Sequence, residues 1–86
     1  MWVFLGEDSR WPSGVFSSRE LAERWIGERG LTGMLTQYPL DVGVYDWAVA
    51  EGLFRPGKPA HISTAFIAGF TSARQSHAHF VDGAAD

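Results

Sequence analysis

Apolar and polar positions alternate at two different periods along the 86 residues, and the switches between periods mark the elements. "WVFLG" (Trp2–Gly6) is a short apolar run of β-forming residues, and "EDSRWPSG" behind it is rich in turn formers. The pair predicts a strand and a loop, with "GVF" (Gly14–Phe16) as a short second strand. A helical period then takes over. Leu21, Ala22, Trp25 and Ile26 form one apolar stripe, and Gly30 supplies a left-handed stop. Ser17 and Glu20 have the spacing of a capping box, with Phe16 and Leu21 placed as a hydrophobic staple around it. A helix over about residues 18–29 is predicted.

"MLTQYPL" (Met34–Leu40) alternates in part and stops at a proline, which predicts a third strand with an edge-like end. Asp41 is placed to cap a second helix and Gly52 to end it, with Val42, Tyr45, Ala48 and Val49 on one face. Gly43 in the first turn weakens such a helix by up to about 1 kcal/mol relative to alanine. The alternative is that "DVGVYDW" continues as a strand and only its tail is helical; the helix is favoured. "RPGKPAH" is a loop by its proline and glycine content. Ser63 or Thr64 then caps a short helix, with Phe66, Ile67 and Phe70 inward. "RQSHAHFV" suits a closing strand, and "DGAAD" a frayed tail. The order β-β-α-β-α-α-β predicts an α+β fold, a small mainly antiparallel sheet with helices packed on one face. Residues 1–83 are expected to make a single compact domain, with 84–86 as the tail.

Composition narrows the function classes. Twelve aromatics, four of them tryptophan, supply a small core, since each can bury roughly 150–250 Å². No cysteine is present, so disulfides, thiolate metal sites and cysteine nucleophiles are excluded. The net charge of −3 and the dispersed basic residues argue against nucleic-acid binding. The start lacks the basic, apolar pattern of a signal peptide, and no apolar run reaches the length of a membrane span. A cytoplasmic, soluble domain is expected.

The segments "GVFSSRELAERWI", "TQYPLDVGVYDWAVAEGLFRPGKP", "FIAGFTSA" and "HAHFVDG" together resemble a family of small, mostly bacterial domains catalogued as domain of unknown function 7710. The resemblance runs from Trp2 to Gly83. It is most specific at Tyr45–Ala48, Gly52–Pro56 and Phe66–Ala73. Gln75, Ser76 and Ala78 depart from the family's "EHYHYENG"-like closing run, whereas His77, His79 and Gly83 match it. The resemblance implies a compact whole-chain domain and carries no activity.

Candidate chemistry is sparse. Asp46 and Trp47 form a candidate protein-binding surface, with Arg55 and Lys58 on the loop beyond, while helical spacing places Tyr45 mostly in the core. His77 and His79 alternate on the closing strand and so share a face. With Tyr45 and Arg74 nearby they are a candidate ligand site. A divalent metal there needs a third donor, for which His61 and Asp82 are the candidates. No metal-binding motif occurs, and a solvated histidine pair is the more ordinary outcome. No nucleophile elbow or phosphate-cradling loop is present, and Ser17, Ser18 and Ser63 are explained as caps or turn residues. The leading expectation is a non-catalytic, acidic protein-interaction domain without a cofactor, an immunity or accessory factor. The alternative is a small-ligand or metal-binding domain around His77 and His79. Homodimerisation through the "MLTQYP" edge or through exposed tryptophans is a third possibility.

Overall fold

The computed structural model describes residues 1–86, which divide into two compact units: Met1–Tyr38 with Gln75–Asp86, and Pro39–Arg74. The first unit is a five-stranded antiparallel sheet with one helix. Its strands are β1 (Trp2–Gly6), β2 (Gly14–Phe16), β3 (Gly33–Gln37), β4 (His77–Val81) and β5 (Ala84–Ala85), in the spatial order β2-β1-β3-β4-β5. The α+β class and the first two strands are as the hydrophobic pattern predicts.

Helix α1 (Arg19–Arg29) starts one residue later than the capping box implies. Ser18, not Ser17, is the N-cap: its Oγ accepts from the Leu21 N–H at 3.2 Å. Glu20 then lies too early to close a reciprocal box, and Leu21, 45% exposed, lies one residue short of the staple position. The stop at Gly30 is as expected. Gly30 has φ 65°, its N–H donates to Gly27 O, and the Leu31 N–H donates to Ile26 O at 3.0 Å. These are the two bonds of a Schellman motif, and Leu31 follows them into the apolar cluster.

The cluster lies between α1 and one face of the sheet. Phe4, Leu35 and Phe80 from β1, β3 and β4 meet Ala22 and Ile26, and Trp2, Phe16, Trp25, Leu31 and Ala78 pack around them. The register explains the set: Phe4 pairs with Leu35, Leu35 with Ala78, and Gly33 with Phe80, so their side chains share a face. Gly33 is needed at this spot. A Cβ there would collide with the Leu5 carbonyl and come within 2.7 Å of the Phe4 ring.

Two expectations about strands fail. The third strand is central rather than edge-like, paired to β1 on one side and β4 on the other, so a dimer through "MLTQYP" has no free edge to use. The expected frayed tail is a strand. Asp82 and Gly83, with φ of 50° and 89°, make a two-residue turn, and Ala84 and Ala85 return beside Val81 and Phe80. Positive φ at both central residues is what the tight primed hairpin turns require, and Asp-Gly is a preferred pair for it.

The second unit is helical. Helix α2 (Val44–Ala50) begins with Gly43 as its N-cap, without a side-chain bond. Asp41 is not the cap; it sits earlier, in left-handed backbone at φ 62°. Gly52, at φ 72°, ends the helix as expected, with its N–H on Val49 O and the Leu53 N–H on Ala48 O. A single 3₁₀ turn (Pro59–Ile62) leads to α3 (Thr64–Ala68), capped by Ser63, whose Oγ accepts from the Phe66 N–H at 3.2 Å. The unit is organised by rings. Phe54 lies 5.9 Å from Tyr45, 5.7 Å from Phe66, 4.9 Å from Phe70 and 5.2 Å from His61, centroid to centroid. Phe66 and Phe70 face this cluster, whereas Val42, Val49 and Ile67 are exposed, against expectation. Short helices of one or two turns cannot bury a full apolar stripe, so the larger rings take the interior.

Candidate functional site

The face of the sheet opposite α1 is the place to look for a surface. Strand alternation puts Val15, Val3, Leu5, Met34, Thr36, His77, His79 and Val81 there. Val15 and Val81 are 63% and 49% exposed, and both histidines are exposed. At one end of this face the strands frame a recess of about 360 Å³. Leu5, Met34 and Val81 supply its apolar floor. Its rim is formed by Glu7, Asp8 and Ser9 in the turn after β1, by Thr32 before β3, and by His79 and Asp86.

Backbone bonds hold the rim in place. The Glu7 N–H donates to Thr32 O and the Ser9 N–H to Gly6 O, both at 3.0 Å, which lifts Asp8 into left-handed backbone at φ 60°. Asp and Asn tolerate that conformation better than other non-glycine residues. Thr32 Oγ1 accepts from the Asp82 N–H at 3.0 Å, and the Asp86 N–H donates to His79 O at 2.8 Å. Three carboxylates, Glu7, Asp8 and Asp86, therefore surround an apolar floor, and no lysine or arginine lines the recess. The one salt bridge of the chain, Arg19–Glu23 at 3.3 Å, lies on α1.

The residues expected to form sites are not gathered into one. Asp46 is exposed and Trp47 half-buried on α2, and Arg55 and Lys58 are exposed on the loop after it, with no ion pair among them. Tyr45 is a core residue, ringed by Phe54, Phe66 and Phe70, so it is withdrawn as a ligand contact. Arg74 is exposed at the end of the second unit, its N–H donating to Ser72 Oγ. His77 and His79 do come together, with ring centroids 5.9 Å apart and planes at 87°. Neither expected third donor joins them. His61 is packed on Phe54 and Phe66 and accepts from the Gly57 N–H at Nδ1, and no trio of histidine, aspartate and glutamate side chains converges anywhere.

Two surface features escape the sequence reading. The Glu7-Asp8 pair looks like an ordinary solvated loop until pairing brings it to the same recess as Leu5 and Val81. Trp11, 73% exposed with the Arg10 guanidinium 6.0 Å from its ring, is the exposed tryptophan; Trp2, Trp25 and Trp47 are half-buried. Its signal was local: a tryptophan inside the loop "SRWPSG" has no apolar partners at strand or helix spacing.

The fold and recess define a small α+β domain with a carboxylate-rimmed, apolar-floored groove. The chain matches the family described as Domain of unknown function (DUF7710) across residues 1–86, and it belongs to that family. No curated protein and no solved structure shows significant similarity to it. No helix is long and apolar enough to cross a membrane.

Proposed function

We propose that this chain is a non-catalytic protein-interaction module that holds a basic, partly apolar segment of another protein. The observation that carries the reading is the recess at the end of the sheet. Its floor is apolar, its rim bears Glu7, Asp8 and Asp86, and no lysine or arginine lines it. An apolar pocket desolvates an inserted side chain, while rim charges of one sign steer and orient a partner of the other sign. A lysine or arginine fits both demands, because its aliphatic stem can cover Leu5 and Val81 while its charged head reaches the carboxylates. The net charge of −3 acts in the same direction at longer range. Modules of this kind serve as accessory factors, or as immunity proteins that block a basic cleft. A cytoplasmic setting is part of this proposal, because small secreted domains tend to rely on disulfides that this chain cannot form.

The test is an NMR titration of the labelled chain with short peptides that alternate lysine or arginine with leucine. Shift changes are expected at Leu5–Ser9, Thr32–Met34 and His79–Val81, weakened by salt and by the double substitution Glu7→Gln, Asp8→Asn. Changes centred instead on Asp46, Trp47, Arg55 and Lys58 would move the interface to the second unit. Absence of binding by any such peptide would reject the reading.

A further inference from the structure

We propose that His77 and His79 form a binding site for cuprous copper, with the Met34 thioether as third donor. It shares Met34 and His79 with the recess but needs neither a peptide nor the carboxylates, so its test is read independently of the function proposed above.

The argument begins with the His77 ring. Its Nδ1 lies 2.8 Å from the Gln75 carbonyl oxygen, which can only accept, so Nδ1 carries the hydrogen and Nε2 presents the lone pair. Metal-ligating histidines are commonly oriented in this way, by a backbone carbonyl on the other nitrogen. The carbonyl is itself anchored. Gln75 is buried, and its Nε2 donates to Gln37 O at 3.0 Å, tying the start of β4 to the end of β3. An exposed surface histidine has no need of so fixed a tautomer.

The second ring is suitably near. An imidazole nitrogen about 2.0 Å from a metal puts the ring centroid roughly 3 Å from it, so two rings on one ion have centroids up to about 6 Å apart. The observed 5.9 Å separation of His77 and His79 lies within that reach. Their perpendicular planes keep the rings from clashing.

The donor set selects the ion. Zinc sites in proteins take four donors in tetrahedral geometry, or three with an open position, and no trio of histidine and carboxylate side chains exists here. Cuprous copper is a d¹⁰ ion content with two or three donors, and it favours imidazole and thioether. Met34 is placed to supply the thioether. It pairs directly with His79 across β3 and β4, while Thr36 pairs with His77. Directly opposite residues have Cβ atoms about 4.5–5.5 Å apart. The flexible methionine side chain can then swing its sulfur toward the rings.

The test is an anaerobic titration of the full chain with cuprous copper held by a chromogenic chelator. The wild-type chain is expected to withdraw one equivalent, and His77→Ala and His79→Ala to withdraw none. X-ray absorption should show nitrogen and sulfur donors, with the sulfur contribution lost in Met34→Leu, which preserves side-chain volume. Both histidines are exposed, so unchanged melting temperatures of their variants will separate lost ligation from lost folding. Uptake that persists in the double variant His77→Ala, His79→Ala would overturn the proposal, as would failure of the wild-type chain to compete for the ion.

Discussion

The Trp25 indole meets the Phe4 ring edge-on, with centroids 5.7 Å apart and planes at 86°. Trp25 also lies 5.4 Å from Phe16, so one helical side chain touches both β1 and β2. Edge-to-face pairs add about 0.5–1.5 kcal/mol to the area they bury. Trp25→Ala removes both contacts and leaves a void beside Phe4. The expected cost is about 3 kcal/mol. Thermal unfolding followed by circular dichroism should show a fall of about 12 °C or more. An unchanged midpoint would mean that α1 does not depend on this packing.

The two serines before α1 give a sharper test. Ser18 Oγ accepts the Leu21 N–H, so Ser18→Ala is expected to cost about 1 kcal/mol. Ser17 is exposed and makes no such bond, and Ser17→Ala should stay within about 0.5 kcal/mol of wild type. Urea denaturation of the two variants side by side checks this. A larger loss in Ser17→Ala would restore the capping box over Glu20.

Gly83 and Gly52 separate backbone strain from crowding. Both have positive φ, 89° and 72°. A Cβ on Gly83 would come within 3.1 Å of Gly30 Cα and 3.2 Å of Ile26 O, whereas one on Gly52 would meet nothing. Gly52→Ala should therefore cost only the left-handed penalty, about 1–2 kcal/mol. Gly83→Ala should cost more, because the β4–β5 turn must lift off the end of α1. Equal losses in chemical denaturation would show that the turn yields freely.

Phe54 is the common neighbour of Tyr45, His61, Phe66 and Phe70. Phe54→Ala is expected to loosen the second unit by about 3 kcal/mol. Hydrogen exchange should speed up at the amides of α2 and α3 while those of β1 and β3 keep their protection. Uniform acceleration through α2, α3, β1 and β3 would overturn this expectation.

Much of this architecture is legible in the chain. β1, β2 and α1 follow from apolar spacing, and Gly30 and Gly52 end their helices because left-handed backbone suits glycine. The misses have physical causes. Ser17 and Ser18 are chemically equivalent caps, and which one caps depends on where β2 releases the chain. Asp41 has the right side chain for an N-cap but sits in left-handed backbone, from which a helix does not start. "DGAAD" carries an Asp-Gly hairpin signal, yet alanines flank it and no alternation points to a strand. Tyr45, in a stretch that looks like a binding surface, is instead core, because three phenylalanines from later segments close on it.

Local patterns along the chain determine the kinds of element, their stops and the composition of the core, since these depend on neighbours three or four residues away. They also exclude thiol chemistry outright. Pairing across long separations decided the recess and the histidine face. Placing β3 between β1 and β4 sets Met34 opposite His79, and it brings Glu7 and Asp8 to the same recess as Val81 and Asp86. Those residues are up to nearly the whole chain apart, and no local rule couples them. The groove and the histidine face exist only because backbone hydrogen bonds fix one register, and a slip of one residue would turn both histidines to the face that α1 covers.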